Sequence, residues 1–90
     1  MKQWCVYILR CGDGTLYTGM TDDFERRLRM HQEGKGAKYT RGRGPLEPVY
    51  IEACGDMSSA LKREYAIKQL PRKKKLLLLQ TPENQALQGT

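Results

Sequence analysis

The sequence is poor in the residues that build metal centres and disulfide frameworks. It contains three cysteines, Cys5, Cys11 and Cys54, and a single histidine, His31. The number of cysteines is odd, and no two of them have the spacing of a CxxC motif. This argues against a structural zinc site and against a disulfide scaffold. Free thiols are typical of a reducing compartment, so a cytoplasmic protein is expected.

Long apolar runs are also absent. The first apolar stretch is interrupted at Arg10, too early for the core of a signal peptide. The leucines at 76–79 fall far short of the roughly 18 apolar residues that a membrane helix needs. The sequence therefore predicts neither a signal peptide nor a membrane span. Its 90 residues suffice for one domain with a modest hydrophobic core.

Acidic residues are scarce relative to basic ones. The chain has 10 Asp and Glu against 16 Lys and Arg, a net charge of +6 at neutral pH. Such a surplus in a small chain is typical of proteins that bind a polyanion, so a nucleic acid is the expected partner. The alternative is a basic surface that serves only solubility.

The pattern of apolar and turn residues predicts six elements in the order ββαβαα. The strands are predicted over 3–10, 15–20 and 48–53. The helices are predicted from 22 to 34, over 57–70 and over 72–79. This order favours an α+β fold with a small antiparallel sheet covered by helices. We expect one domain over 1–79 and a flexible tail over 80–90.

Turn and cap residues fix the predicted ends of these elements. The GDG sequence at 12–14 is typical of a tight hairpin loop, in which Gly14 is free to adopt a positive φ. Asp22 and Glu25 have the spacing of a capping box, and Gly34 is expected to end that helix. Asp56 is the predicted cap of the second long helix, which Pro71 ends or kinks.

Three arginines in the first predicted helix differ in the direction they face. Helical periodicity places Arg26 and Arg29 on the solvent side. Arg27 borders the face defined by Phe24 and Leu28, one turn before His31. An arginine at the edge of a buried face usually has an anion or a carboxylate as its partner. The alternative is an arginine that extends along the helix surface to reach water.

Glu64 lies in the apolar stripe of the second long helix, between the directions of Ala60 and Leu61. A carboxylate facing the core is costly unless it is paired or binds a metal ion. Lys68, one turn further along the chain, offers an ordinary ion pair as the alternative.

Two tyrosines project from the same face of the predicted hairpin. A three-residue loop places Tyr7 opposite Gly19, and Tyr17 opposite Leu9. The two rings are then diagonal neighbours. Gly19 is expected to leave an open position where a ligand approaches the sheet. Ordinary core packing is the alternative for such a pair.

These motifs together resemble the GIY-YIG nuclease superfamily. The resemblance is carried by VYI at 6–8, by YTG at 17–19, by the helix with Arg27 and His31, and by the later KREYAIK sequence. It extends over about residues 2–78 and is greatest to small stand-alone bacterial members, related to the Slx-type structure-selective nucleases. Val6 and Thr18 replace a glycine and an isoleucine of the motifs, and Met20 stands where some repair members have a lysine.

The resemblance implies a three-stranded antiparallel sheet flanked by helices, and an endonuclease that cleaves DNA. It assigns catalytic roles to Tyr7, Tyr17, Arg27, His31 and Glu64. Glu64 would be the ligand of one Mg²⁺ or Mn²⁺ ion, and Gly19 matches the glycine of the second motif. Either Tyr7 or Tyr17 would position or deprotonate the attacking water.

The segment 34–45 is rich in glycine and contains no acidic residue. Its basic and aromatic residues are the candidates for contact with nucleic acid: Lys35, Lys38, Tyr39, Arg41 and Arg43. Glycines let the backbone approach a phosphate, and an aromatic ring can stack on a base. The alternative is a flexible, solvated loop.

Three functions agree with the sequence. The first is a metal-dependent endonuclease that recognises branched, nicked or flapped DNA in repair or recombination. The second is a nucleic-acid-binding module with the same fold and little turnover, and the third is an adaptor domain that needs a partner. No heptad pattern predicts a helical dimer interface, so we expect a monomer.

Overall fold

The computed structural model describes residues 3–88 and has the predicted α+β architecture. A three-stranded antiparallel sheet has the strand order β2-β1-β3. The strands are β1 (Trp4–Arg10), β2 (Leu16–Thr21) and β3 (Glu47–Gly55). The α-helices are α1 (Phe24–Gln32), α2 (Met57–Lys68) and α3 (Arg72–Leu78). Short 3₁₀ turns occupy Lys38–Thr40 and Gln85–Gln88. The predicted ββαβαα order is confirmed. In the part of the chain described, no helix is long and apolar enough to cross a membrane.

The central strand β1 is buried on both faces. Val6 and Ile8 belong to the apolar core with Ala60 and Ile67 of α2. The ring of Tyr7, on the alternate position of the strand, instead contacts residues of α1. Because the side chains of a strand alternate between faces, β1 contributes to the core on one side and to a polar site on the other.

The hairpin between β1 and β2 has the predicted register. The amide of Cys11 donates a hydrogen bond to the carbonyl of Thr15 at 2.8 Å, which closes the loop. Gly14 has a φ of 86°, a conformation that glycine adopts without steric cost. Tyr7 is thereby paired with Gly19, and Leu9 with Tyr17. The two tyrosines share one face of the sheet, as predicted.

The start of α1 differs from the prediction by one residue. The N-cap is Asp23, whose carboxylate accepts a hydrogen bond from the amide of Arg26 at 3.3 Å. The hydroxyl of Thr21 accepts a hydrogen bond from the amide of Asp23 at 3.0 Å. This contact links the end of β2 to the cap, so Asp22 lies one residue too early to be the N-cap. Asp56 caps α2 as predicted and accepts a hydrogen bond from the amide of Ser59 at 2.7 Å.

The segment predicted to be a flexible tail packs against β3 in its described part. The side chain of Asn84 is completely buried. Its amide nitrogen donates to the carbonyls of Val49 and Leu79 at 2.8 and 3.0 Å, and its oxygen accepts from the amide of Ile51 at 3.0 Å. The packed structure therefore continues past residue 79. The polar composition of residues 80–90 favoured a flexible tail, but the side-chain amide of Asn84 forms hydrogen bonds with backbone groups of β3 and holds this segment in place.

Replacing Asn84 by Ala should destabilise the protein by about 2–4 kcal/mol, since it leaves buried backbone groups of β3 without their partner. Chemical denaturation followed by circular dichroism measures this change. Glu83→Ala, at an exposed neighbouring position, is the control and should change the free energy of unfolding by at most about 0.5 kcal/mol. Equal stability of the two variants would contradict the packing of this segment.

Candidate active site

Tyr7 lies at the centre of the site and is only 1% exposed. Its hydroxyl oxygen is 2.9 Å from Nε2 of His31, and its ring makes edge contacts with Phe24 and His31. Burial raises the pKa of Tyr7 to about 12, although a hydrogen bond from Arg27 acts in the opposite direction. The hydroxyl is thus strongly held in its neutral form, beside a group able to accept or donate a proton.

Gly19 is required by the position of Tyr7. A Cβ atom on Gly19 would lie 2.6 Å from the Tyr7 hydroxyl oxygen and 3.0 Å from the ring of Tyr17. The expected open position above Gly19 is therefore occupied by the two tyrosines. Direct contact between Gly19 and nucleic acid stays a prediction, whereas its steric role follows from these distances.

Tyr17 is less buried than Tyr7 and lies on the neighbouring strand. Its ring centroid is 5.3 Å from that of His31 and 5.8 Å from that of Tyr39, on which it stacks. Burial raises the pKa of Tyr17, the positive charge of Arg27 lowers it, and the negative charge of Glu64 raises it. The cation of α1 and the carboxylate of α2 therefore act on the pKa of Tyr17 in opposite directions.

Helix α1 presents Arg27 and His31 to the sheet, as the periodicity predicts. Arg27 is half-buried, whereas Arg26 and Arg29 are exposed. Both tyrosine hydroxyls have Arg27 as a hydrogen-bonding neighbour. His31 is 2% exposed, and burial, followed by the nearby charge of Arg27, lowers its pKa below 6.5. The single histidine of the chain is thus neutral at physiological pH.

Glu64 lies at the α2 side of the site. Its side chain is 19% exposed, and its Oε2 is 3.7 Å from Nζ of Lys68. The ion pair considered as an alternative is therefore present. Among residues 3–88, no group of three or more His, Cys, Asp and Glu residues is arranged to hold a metal ion. Mg²⁺ binds proteins through one or two carboxylates and keeps several waters, so a single half-buried carboxylate fits that ion.

Five predicted catalytic residues thus converge from four elements: Tyr7 from β1, Tyr17 from β2, Arg27 and His31 from α1, and Glu64 from α2. The family profile described as the GIY-YIG catalytic domain matches residues 3–76, which include all five. The chain belongs to the GIY-YIG family.

Two curated relatives cover nearly the whole chain. A UPF0213 protein of Oceanobacillus iheyensis is 55% identical over 84 residues, which are 93% of this chain and 98% of that protein. The UPF0213 protein YhbQ of Escherichia coli is 45% identical over 96 residues, with 92% of this chain and 96% of that protein covered.

Two solved structures are similar to this chain in both fold and sequence. The solution NMR structure of a UPF0213 protein from Bacillus halodurans has a TM-score of 0.59 and 47% identity, and covers 92% of this chain and 87% of that chain. A protein from E. faecalis, also solved by NMR, has a TM-score of 0.62 and 42% identity, and covers 88% of this chain and 84% of that chain.

The predicted nucleic-acid-binding residues of the glycine-rich segment fall into two groups, those that contact other side chains of the protein and those that are exposed to solvent. Arg43 forms an ion pair with Asp13 at 2.5 Å, and its guanidinium lies 4.6 Å from the centroid of the Tyr39 ring. Lys38 and Arg41 are exposed. Arg43 and Tyr39 are thus partly engaged within the protein, while Lys38 and Arg41 extend towards solvent. Lys35 is also exposed, and its Nζ is 4.0 Å from a carboxylate oxygen of Glu33.

Sequence reasoning missed two contacts of His31. The hydroxyl of Thr40 lies 2.9 Å from Nδ1 of His31. A Cβ atom on Gly36 would lie 2.2 Å from that nitrogen, so the backbone at 36 packs directly against the imidazole. The glycines at 34–45 indicated a flexible loop, but no pattern in the sequence indicated that Gly36 is the one that contacts His31.

Removing the charge of Arg27 should raise the pKa of His31, because Arg27 is the second cause of its decrease. We expect Arg27→Gln to move the pKa upwards while burial keeps it below 6.5. Titration of the His31 imidazole by NMR measures this, and it is unambiguous because the chain has one histidine.

Arg26→Gln, at an exposed position, is the matched control and should leave the pKa of His31 unchanged. Equal effects of Arg27→Gln and Arg26→Gln on the pKa of His31 would contradict the position of Arg27.

The lowered pKa of His31 also predicts how the stability of the wild type depends on pH. The unfolded chain binds a proton that folded His31 does not, so the free energy of unfolding should decrease as the pH falls below about 6.5.

Proposed function

We propose that this protein is a divalent-metal-dependent endonuclease that hydrolyses phosphodiester bonds in DNA. It would select branched, nicked or flapped structures, as in repair or recombination, and act as a monomer in the cytoplasm. The observation that carries the proposal is the half-buried position of Arg27 on the same helix as His31, where it acts to lower the pKa of both Tyr7 and Tyr17 against the effect of burial. This places a fixed positive charge beside two groups able to handle a proton.

Arg27 is suited to stabilise the transition state. Attack of water on a phosphodiester builds negative charge on the phosphoryl oxygens. A guanidinium held by a helix contacts two such oxygens at once, in a geometry that lysine does not offer. Because Arg27 is half-buried beside the sheet, its charge is screened less by solvent than those of Arg26 and Arg29.

Tyr7 is the base in this proposal. A tyrosine with an ordinary pKa near 10 is a weak base, and burial of Tyr7 raises its pKa further, to about 12. The hydroxyl can nevertheless take a proton from water if its own proton moves to a neighbour, and His31 lies 2.9 Å away and is neutral. Tyr17 would orient the water or the phosphate.

Glu64 would hold one Mg²⁺ or Mn²⁺ ion through its carboxylate. When bound, such an ion supplies Lewis-acid stabilisation of the phosphate and of the departing 3′ oxygen. The rest of the site contributes positioning and proton transfer by this chain's own side chains.

Exposed cations beside the site provide the surface for nucleic acid. Lys35, Lys38 and Arg41 lie on the segment that covers His31, and the ring of Tyr39 is 43% exposed. These side chains suit phosphates and one stacked base. Phosphate contacts carry no direct sequence information, so we propose recognition of DNA shape.

A nucleic-acid-binding module with little turnover is the second candidate. The contact of Lys68 with Glu64 supports it, because a neutralised carboxylate is a weaker ligand for a metal ion. Incubation of the pure protein with Mg²⁺ or Mn²⁺ and with linear, nicked, flapped and four-way DNA separates the two candidates. Binding without cleavage of every substrate would favour the module.

Substitution of the three arginines of α1 tests the catalytic role of Arg27. Arg27→Ala should decrease the cleavage rate by about 10² or more, because it removes charge stabilisation in the transition state. Arg26→Ala and Arg29→Ala are the controls, and should change stability by at most about 0.5 kcal/mol and cleavage only through weaker binding. Three variants with equal cleavage rates would refute the proposed site.

Variants of Glu64 and Lys68 separate a metal ligand from an ion pair. Glu64→Gln should weaken both Mn²⁺ binding, measured by water-proton relaxation, and cleavage. Lys68→Met should retain Mn²⁺ binding or strengthen it, since it removes a competing cation. If the pair is only structural, each substitution changes stability by about 0.5 kcal/mol or less and neither affects Mn²⁺ binding.

A further inference from the structure

Thr40 connects the glycine-rich segment to His31. Its side chain is 2% exposed, at the end of the 3₁₀ turn Lys38–Thr40. Its hydroxyl oxygen lies 2.9 Å from Nδ1 of His31 and 2.9 Å from the carbonyl oxygen of Ala37. On the other side of the imidazole, Nε2 is 2.9 Å from the hydroxyl oxygen of Tyr7. The four groups form one chain of short hydrogen bonds.

One assignment of donors and acceptors fits this series of hydrogen bonds best. If the hydroxyl of Thr40 donates to the carbonyl of Ala37, its oxygen must accept from a protonated Nδ1 of His31. Nε2 then carries a lone pair and accepts from the hydroxyl of Tyr7. All three contacts of 2.9 Å are satisfied in this arrangement. The contact that it leaves unmade is the longer one of 3.4 Å from the amide of Ala37 to Nδ1.

The opposite tautomer gives the hydroxyl hydrogen of Tyr7 no acceptor among these groups. A protonated Nε2 would donate to the oxygen of Tyr7, whose other hydrogen-bonding neighbour is Arg27. A guanidinium can only donate, so it offers the hydroxyl hydrogen of Tyr7 no acceptor. The amide of Ala37 would donate to an unprotonated Nδ1 in that case, but its distance is 3.4 Å, longer than the three contacts of the first arrangement.

The backbone around Thr40 also prevents the imidazole from moving away. The position of a Cβ atom on Gly36 would be 2.2 Å from Nδ1 and 2.7 Å from Cγ of His31. Only a glycine fits at this distance, and the ring is therefore held between Gly36 and Thr40 on one side and Tyr7 on the other.

We propose that Thr40 is a positioning residue that keeps His31 in the Nδ1-protonated tautomer, so that Nε2 receives the proton of Tyr7. In the reaction, the oxygen of Tyr7 takes a proton from the attacking water as its own O–H bond breaks and an N–H bond forms at Nε2. The resulting imidazolium keeps its Nδ1 proton on the hydroxyl of Thr40. The catalytic consequence rests on the proposed nuclease function, but the tautomer is a property of the protein alone.

NMR of ¹⁵N-labelled full-length protein tests the tautomer without any nucleic acid. A long-range ¹H–¹⁵N correlation reports the protonation of both ring nitrogens, and the chain has a single imidazole. At a pH where His31 is neutral, we expect a protonated Nδ1 and an unprotonated Nε2 in the wild type. A protonated Nε2 would overturn the proposal, whatever the protein cleaves.

Substitutions at Thr40 test whether its hydroxyl sets the tautomer. Thr40→Val preserves the shape and removes the acceptor of Nδ1, and should give a mixture of tautomers. Thr40→Ser retains the hydroxyl and should restore the wild-type pattern. An unchanged tautomer in a folded Thr40→Val protein would refute the role of Thr40. If that variant does not fold, a nuclear Overhauser contact from the Nδ1 proton to Thr40 in the wild type supports the role, and its absence contradicts it.

Cleavage kinetics connect the tautomer to catalysis. Thr40→Val should decrease kcat by about 10-fold or more with little change in KM, and Thr40→Ser should recover most of the rate. Lys38→Ala, on the same turn, should raise KM through weaker binding and leave the tautomer unchanged. If the wild type cleaves no DNA, the nuclease proposal fails while the NMR result still decides the tautomer.

Discussion

The burial of Tyr7 in the central strand is the constraint on which the rest of the site depends. A hydroxyl that is shielded from water needs hydrogen-bonding partners, and the partners here come from α1. His31 must therefore point into the sheet, Gly19 must lack a side chain, and the glycine-rich segment must approach the imidazole. Strand β2, helix α1 and the glycine-rich segment are thus linked to β1 through the side chain of Tyr7.

Two carboxylates paired with residues of α2, Glu52 of β3 and Glu64 of α2 itself, differ in how fully they are engaged. Glu52 of β3 accepts hydrogen bonds from Nε of Arg63 on both oxygens at 3.1 Å, and also from the hydroxyl of Tyr50. Its hydrogen-bonding capacity is largely used within the protein. Glu64 forms an ion pair with Lys68 at the longer distance of 3.7 Å. The carboxylate of Glu64 is therefore less firmly engaged within the protein than that of Glu52.

The glycine-rich segment has an exposed, basic side and a buried side that contacts His31. Its exposed cations face solvent, while its buried side, at Gly36 and Thr40, encloses His31. Because these positions are within a few residues of each other, a ligand bound to Lys38 or Arg41 would lie beside the turn that contacts His31. The ion pair of Arg43 with Asp13 attaches this segment to the hairpin between β1 and β2.

The sequence by itself determined the element order, the hairpin register and the directions of Arg27 and Glu64. These features depend on local rules: the period of a strand or helix, the turn chemistry of glycine and the choice of cap residue. The N-cap of α1 was wrong by one residue because Thr21, which closes the end of β2, selects Asp23. The sequence also offered Lys68 as a partner of Glu64, and the structure contains that ion pair. Only the tertiary structure decided the contacts of Thr40 and Gly36 with His31, and the burial of Asn84 against β3. Each of the last three brings together groups that are distant in the chain or lie in irregular backbone, where no periodic pattern reports which side chain faces inwards.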